Sequence, residues 1–276
     1  MRKHPANYEL VNGAWIHSEA QLADDVVVEP GAVIDAGVEV GAGTWIGSGA
    51  VLYGPTKIGV ENEIYPGAII GGPPQDIGYA GEPTRLEIGD HNVFREGFSA
   101  NRASTKCDQV TRIGDHNFFM ADSHVAHDVI LGNHVIAANG VLIAGHCEIG
   151  DHVNFAGRVA ISQFVTVGRH AFVAGLTGAR KDVEPFLCHD FKPPRGPEAE
   201  PQCVNQVGLK RSGFTPEVIK KLRISYRVLF LREGFKDPAA SREELMQRDA
   251  MFAEVDELIS FLERKRAGQG RQISAH

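Results

Sequence analysis

No stretch of the 276 residues approaches the roughly 20 consecutive apolar residues that a helical membrane span requires, so stable membrane insertion is not expected. Nor does the segment Met1 to Leu10 carry a charged region followed by a greasy one, and a cytoplasmic protein is the expectation. Cysteine is sparse. Cys107, Cys147, Cys188 and Cys203 form no CxxC pair and fall far short of a secreted disulfide scaffold, which points to free thiols. Basic residues are outnumbered 28 to 35, and the formal net charge of −7 argues against a general nucleic-acid binder. Local basic clusters at Arg180-Lys181 and Lys210-Arg211 remain candidates for anion contacts. With 43% hydrophobic and 23% charged residues the chain can still bury a core in one or two domains.

What the chain has in abundance is a period of six. Aliphatic residues recur at Ile16, Leu22, Val28, Ile34, Val40, Ile46, Leu52, Ile58, Ile64 and Ile70 without a miss. Two positions earlier stand small or β-branched residues such as Ala14, Ala32, Thr44, Ala50 and Ala68. The period returns at Ile88 and Phe94 and runs from Ile113 to Val173. A helix repeats at 3.6 and a strand at 2, so a sustained six implies short strands joined by turns, three to a coil of 18, stacked as a solenoid. One corner supports that number: Gly114-Asp115-His116, Gly132-Asn133-His134, Gly150-Asp151-His152 and Gly168-Arg169-His170 recur at intervals of 18, with Gly89-Asp90-His91 before them. These histidines are expected to be outer turn residues beside glycines that accept positive φ, rather than a metal ladder.

Two segments interrupt the period, at about 71–87 and 101–112, and are expected to be ejected loops on the rigid scaffold. The expected division is a β-helix over 1–185 and a linker with a helical domain over 186–276. A Pro-rich stretch at 191–201 leads to a helix start at Thr215, Pro216 and Glu217, with an apolar stripe of Val218, Leu222, Tyr226 and Leu229. A second helix is expected from about Ser241, with Leu245, Phe252, Val255, Ile259 and Leu262 on its apolar face.

Residues 18 apart occupy the same place on successive coils, about 4.8 Å apart. His127, Gly145 and Gln163 therefore form one column, with Asp128 and His146 in the column beside it. An imidazole, a carboxylate, an amide and a glycine whose N–H can be approached closely are the parts for removing a hydroxyl proton and stabilising an oxyanion. Solvated surface histidines remain the plainer reading of the spacing. A zinc site from His124, His127 and His146 is a further one.

Several motifs carry a resemblance across most of the chain: QDIGYAGEPTRLEIGD (75–90), HVAHDVILGN (124–133), IAGH (143–146), SQF (162–164) and VNQVGLKRSGF (204–214). With them the chain resembles the UDP-N-acetylglucosamine O-acyltransferases of lipid A biosynthesis, which are hexapeptide-repeat proteins. The resemblance implies a left-handed parallel β-helix with a C-terminal helical domain, assembled as a homotrimer with sites between subunits. It implies an acyltransferase that moves an acyl group from acyl carrier protein to the 3-hydroxyl of a UDP-sugar. His127 would then be the general base, Asp128 its orienting neighbour and Gly145 the oxyanion donor. Asp76, His124, His146, Gln163, Asn205 and Arg211 would contact sugar and nucleotide, and Gly175 would limit acyl-chain length. No metal or other cofactor is implied, because the acyl group arrives on phosphopantetheine.

The sequence departs from the family pattern at Gly78, where lysine is common, and at Asn101, Ser162 and Glu198, where histidines stand. Val207 replaces a glutamate and Ser212 an arginine. These positions leave open a paralogue with a different acceptor or a short acyl-CoA donor. Outside the family, the alternatives are a β-helical zinc enzyme of the carbonic anhydrase type and a non-catalytic sugar-nucleotide binder.

Overall fold

A computed structural model describes residues 7–106, 108–190, 200–231 and 237–266; Cys107, Glu198 and most of the Pro-rich stretch lie outside them. The period of six appears as strands of two to four residues, each ending at a corner, so that three strands close a triangular coil. Three sheets of ten, ten and eight strands run along the prism. The strands His124–Val125, Leu142–Ile143 and Ala160–Ile161 stack on the first face, Ile130–Leu131 and Glu148–Ile149 on the second, and Ile136–Ala137 and Asn154–Phe155 on the third. Nearly all pairings are parallel, and the fold is a left-handed parallel β-helix.

The interior is a single column of periodic aliphatics. Ile34, Ile46, Leu52, Ile64 and Ile70 are all fully buried, and truncating any of them to alanine would cost about 2–5 kcal/mol. Phe94, Phe98 and Phe119 fill the coils from which the loops leave, with ring centroids 4.8–5.4 Å apart.

The repeating corner works differently from the sequence-based expectation. Positive φ belongs to the histidines, from 55° at His91 to 57° at His170, while the glycines before them serve close approach. A Cβ at Gly89 would lie 1.9 Å from Asp115 Oδ1, and one at Gly132 would lie 2.3 Å from Asp151 Oδ1. Each of these side-chain oxygens accepts the backbone N–H of the coil below, as Asp115 does from Asp90 and Asp151 from Asn133, both at 2.7 Å. The imidazoles then stack in one column from His91 to His170, 4.6–4.9 Å between centroids and within 7° of parallel.

Segment 71–87 is an excursion within one coil and not a coil of its own, because Ile58 pairs with Ile88 on the same face. Its loop spans 73–84, and a second, described over 102–106 and 108–109, lies between strands Ser99–Asn101 and Val110–Ile113. At the far end the third sheet is closed by Leu187–Asp190 and, antiparallel to it, Glu200–Val204.

Among the described residues four α-helices follow, α1 (Gln206–Arg211), α2 (Pro216–Tyr226), α3 (Pro238–Gln247) and α4 (Ala253–Arg266), and a π-helical turn over Arg227–Leu231 continues α2 and carries Leu229. Thr215 caps α2 as expected, its hydroxyl accepting Val218 N–H at 3.3 Å. The expected second helix is two. Asp249 takes φ of 49° and Ala250 N–H turns back to the Leu245 carbonyl, which ends α3 and leaves Phe252 outside either helix. Helix α1 and the strand Glu200–Val204 carry no periodic signal, and the sequence patterns did not foretell them. Two ion pairs fasten the helices to the last coils, a bidentate one from Arg169 to Glu257 and one from Lys265 to Glu184 at 2.7 Å.

Candidate active site

His127 sits at the corner between the first and second faces, where the chain leaves strand His124–Val125 and Asp128 takes φ of 61° to make the turn. The His127 Nδ1–H donates to Asp128 Oδ2 at 2.8 Å, which fixes the tautomer and leaves Nε2 to accept a proton. Asp128 is fully buried. Burial alone would raise its pKa, yet the bonds from His127 and Ser104 outweigh it and hold the carboxyl below its usual value. Its own N–H donates to Thr111 Oγ1 at 2.8 Å.

Gly145 lies one coil further along. A Cβ there would fall 2.6 Å from Cε1 and 2.8 Å from Nε2 of His127, so only glycine lets the backbone lie against the ring. Beside it, His146 meets His127 edge-on at 5.1 Å, stacks on Phe164 at 4.8 Å, and sets Nε2 3.8 Å from Asp128 Oδ2. His124 is held by Ser99 Oγ at 2.8 Å, and burial, with the neighbouring His127, lowers its pKa although the Ser99 backbone acts the other way.

Among the described residues, cavities border His127 on two sides. One of about 710 Å³ runs along the first face past His124, Leu142, Ala160, Ser162 and Gln163. The other, about 290 Å³, is bounded by Asp76, Lys106, His146, Gln163 and Phe164. Asp76 comes from the first loop and accepts Lys106 Nζ–H from the second loop at 2.8 Å and Gly78 N–H at 2.9 Å. Those bonds, Lys106 first, hold its carboxyl below the usual range. Asn101, at one of the departures, donates to the Pro73 carbonyl at 2.9 Å and pins the first loop to the prism.

The structure thus brings together His127, Asp128, Gly145, His146, Gln163, Asp76 and His124. It does not bring Asn205, Arg211 or Gly175 to them. Asn205 caps α1 and donates to the His170 carbonyl at 2.9 Å. With Arg211, Val207 and Ser212 it lines a cavity of about 530 Å³ against His134, His152 and His170, at the corner between the second and third faces. Gly175 lies at the remaining corner, over Gly157, and borders neither cavity beside His127. Sequence reasoning missed Ser99, Ser104, Lys106 and Thr111. Only their place in or beside the interrupted segment 101–112 marked them.

The metal-ligand geometry also differs from expectation. Among the described residues the compact group is His127, Asp128 and His146, with ligand atoms within 4.8 Å of one another, and His124 is outside it. In this arrangement Asp128 Oδ2 already accepts from His127 and Ser104.

The family described as UDP N-acetylglucosamine O-acyltransferase, domain 2, matches residues 182–271. Among solved structures, LpxA from Acinetobacter baumannii is 35% identical, covering 93% of this chain and 97% of its own, with a TM-score of 0.84. The UDP-N-acetylglucosamine O-acyltransferase LpxA of Moraxella catarrhalis is 33% identical over 92% of this chain and 96% of its own, with a TM-score of 0.84. LpxA of Bacteroides fragilis, a UDP-N-acetylglucosamine acyltransferase, is 30% identical over 92% and 97%, with a TM-score of 0.86.

Proposed function

Because the chain belongs to the UDP-N-acetylglucosamine O-acyltransferase family, we propose that its cleft transfers a fatty or hydroxyfatty acyl group from the thioester of acyl carrier protein to the 3-hydroxyl of UDP-N-acetylglucosamine. The observation that carries this reading is the contact of the Gly145 backbone with the free edge of a histidine whose other nitrogen is bonded to a buried carboxylate. His127 Nε2 takes the proton of the sugar hydroxyl as its oxygen attacks the thioester carbonyl. The Gly145 N–H faces the oxyanion that forms, and buried Asp128 balances the imidazolium. As the C–S bond breaks, the same proton passes to the phosphopantetheine thiolate. No metal or other cofactor has a part in these steps.

Asp76, His124, His146 and Gln163 position the sugar around the base. Asn205 and Arg211 fit a nucleotide but stand at another corner of the prism, which supports a homotrimer in which one subunit offers the base and its neighbour the nucleotide contacts. The half-exposed Leu142 on the first face and Ile136 on the third are suited to such burial. Among the described residues no helix is long and apolar enough to cross a membrane, and we place the enzyme in the cytoplasm with its carrier-protein donor. The paralogue reading has no observation in its favour.

A zinc reading would rest on His127, Asp128 and His146, but Asp128 Oδ2, the oxygen nearest both imidazoles, already accepts from His127 and Ser104. The test is acyl transfer itself. Purified protein, 3-hydroxyacyl carrier protein and UDP-N-acetylglucosamine should give a 3-O-acylated sugar nucleotide by mass spectrometry, unaffected by chelator. Absence of that ester, or inactivation by chelator with recovery on adding zinc, overturns the reading.

A further inference from the structure

Lys106 is a residue that neither the motifs nor the resemblance assigns. Among the described residues it is the one Lys or Arg lining either cavity that borders His127. Its Nζ donates to Asp76 Oδ2 at 2.8 Å, and its side chain is 54% exposed, so the ammonium lies at the cavity rim with room to reach a ligand. Its placement is tied to the catalytic pair through the same loop. Ser104 N–H donates to Asp128 Oδ2 at 2.9 Å, and Lys106 N–H donates to Ser104 Oγ at 3.4 Å. The loop that inserts the lysine is therefore registered on the carboxylate that orients His127.

The two cavities share His127 and Gln163 and differ elsewhere. The one along the first face has apolar walls at Leu142, Ala144 and Ala160 that suit an acyl chain, with His124 at its side for the sugar, while the one at Lys106 brings Asp76 and His146 beside the ammonium and suits the charged part of a sugar nucleotide. A chain of net charge −7 that takes a doubly charged diphosphate needs a local cation beside its base. Gly78 gives the first loop no side chain there and donates its N–H to Asp76 Oδ1, while Lys106 reaches the other oxygen of Asp76 from the second loop.

We propose that Lys106 is a specificity-determining residue for the acceptor, its ammonium held by Asp76 and engaging the diphosphate of the sugar nucleotide beside His127. The inference rests on the acyl-transfer reading, but its ligand contact can be measured without turnover. In Lys106→Ala, UDP binding followed by calorimetry should weaken about 10- to 100-fold, the range expected for one charge-assisted hydrogen bond. The acceptor KM should rise by a similar factor, while kcat and the donor KM stay within about threefold. Lys106→Arg should restore most of the affinity and Lys106→Gln should not. Because the side chain is half exposed, the melting temperature serves as the folding control. Unchanged UDP affinity in Lys106→Ala, rescue by Gln as well as Arg, or a rise in donor KM in place of acceptor KM each overturns the proposal. If the unmodified protein binds UDP in a Lys106-dependent way yet makes no ester, the reaction reading fails and the lysine assignment stands.

Discussion

Ser104 and Asp128 meet across the base of the second loop: the Ser104 N–H donates at 2.9 Å to the Oδ2 that also accepts His127 Nδ1–H at 2.8 Å. One carboxylate oxygen thus joins a loop that interrupts the repeat to a histidine that belongs to it. The bond explains why an interrupted coil lies next to the base. The loop supplies a backbone donor that the regular coil, whose N–H groups serve the next coil, cannot spare.

His127→Ala should lower kcat by about 10²- to 10⁴-fold, since proton removal from the attacking hydroxyl is lost. Acceptor KM should change little, because Asp76, Gln163 and Lys106 remain. Steady-state kinetics with acyl carrier protein as donor checks both, and near-normal transfer by the variant removes His127 from the mechanism.

Gly145→Ala should be severe for activity and mild for stability. The added methyl would sit 2.6–3.1 Å from three ring atoms of His127 and must push the imidazole aside. Displacement of that kind beside an oxyanion donor is expected to cost about 10²-fold or more in kcat. A variant with unaltered melting temperature and unaltered kcat would show that the Gly145 backbone does not face the reaction.

Acid should loosen the junction between β-helix and helical domain. His170 is packed between His152 and Phe186 with Phe214 edge-on, and burial first, then the neighbouring His152 and Arg169, press its pKa from 6.5 to about 4; Asp151 acts weakly the other way. The unfolded chain takes up this proton near 6.5 and the folded chain resists it down to about 4. Stability from this group is therefore complete above that window and declines as pH falls through it, by at most about 1.4 kcal/mol per pH unit. His170→Phe removes the titration and keeps a ring at a positive φ that Phe164 and Phe186 already adopt. Urea midpoints at about pH 7.5 and about pH 5 should then differ less than in the unmodified protein, the remaining loss belonging to other buried histidines such as His124 and His189, and an undiminished acid loss would acquit His170.

Gly175→Met should shift donor preference toward shorter acyl chains through the neighbouring subunit of the proposed homotrimer, because Gly175 borders neither cavity beside its own His127. A Cβ there meets the Gly157 carbonyl at 3.2 Å, so a longer side chain must turn away from the prism. Each methylene excluded would forfeit about 0.8 kcal/mol of burial. Competition between donors of different length measures it, and unchanged selectivity would take Gly175 out of the acyl path.

Much of the site was legible because the repeat converts sequence distance into spatial distance. Once 18 residues make a coil, His127, Gly145 and Gln163 must share a column, and Asp128 and His146 must neighbour it; the structure has them so. The corner histidines were legible as turn residues for the same reason, but their role within the turn was not. That the glycine serves close approach and the histidine takes positive φ depends on where Asp115, Asn133 and Asp151 reach in the adjacent coil. The helical domain showed its Thr215 cap and its apolar stripes in sequence but not its division, since stripe patterns run across the turn at Arg248 and Asp249 that divides α3 from α4.

The sequence by itself determined the coil, its column of buried aliphatics and the company of His127, because periodicity is a one-dimensional property that stacking preserves. Tertiary structure alone decided what the two loops do. Lys106 and Asp76, 30 residues apart and outside the period, have no register to fix them, and only the folded path of both loops brings ammonium to carboxylate at 2.8 Å. The same holds for Asn205 and Arg211, whose motif announced a substrate contact but whose corner of the prism is not the corner of the base. Position around a triangular coil is set by where the repeat ends and the helices dock, and no local pattern encodes that.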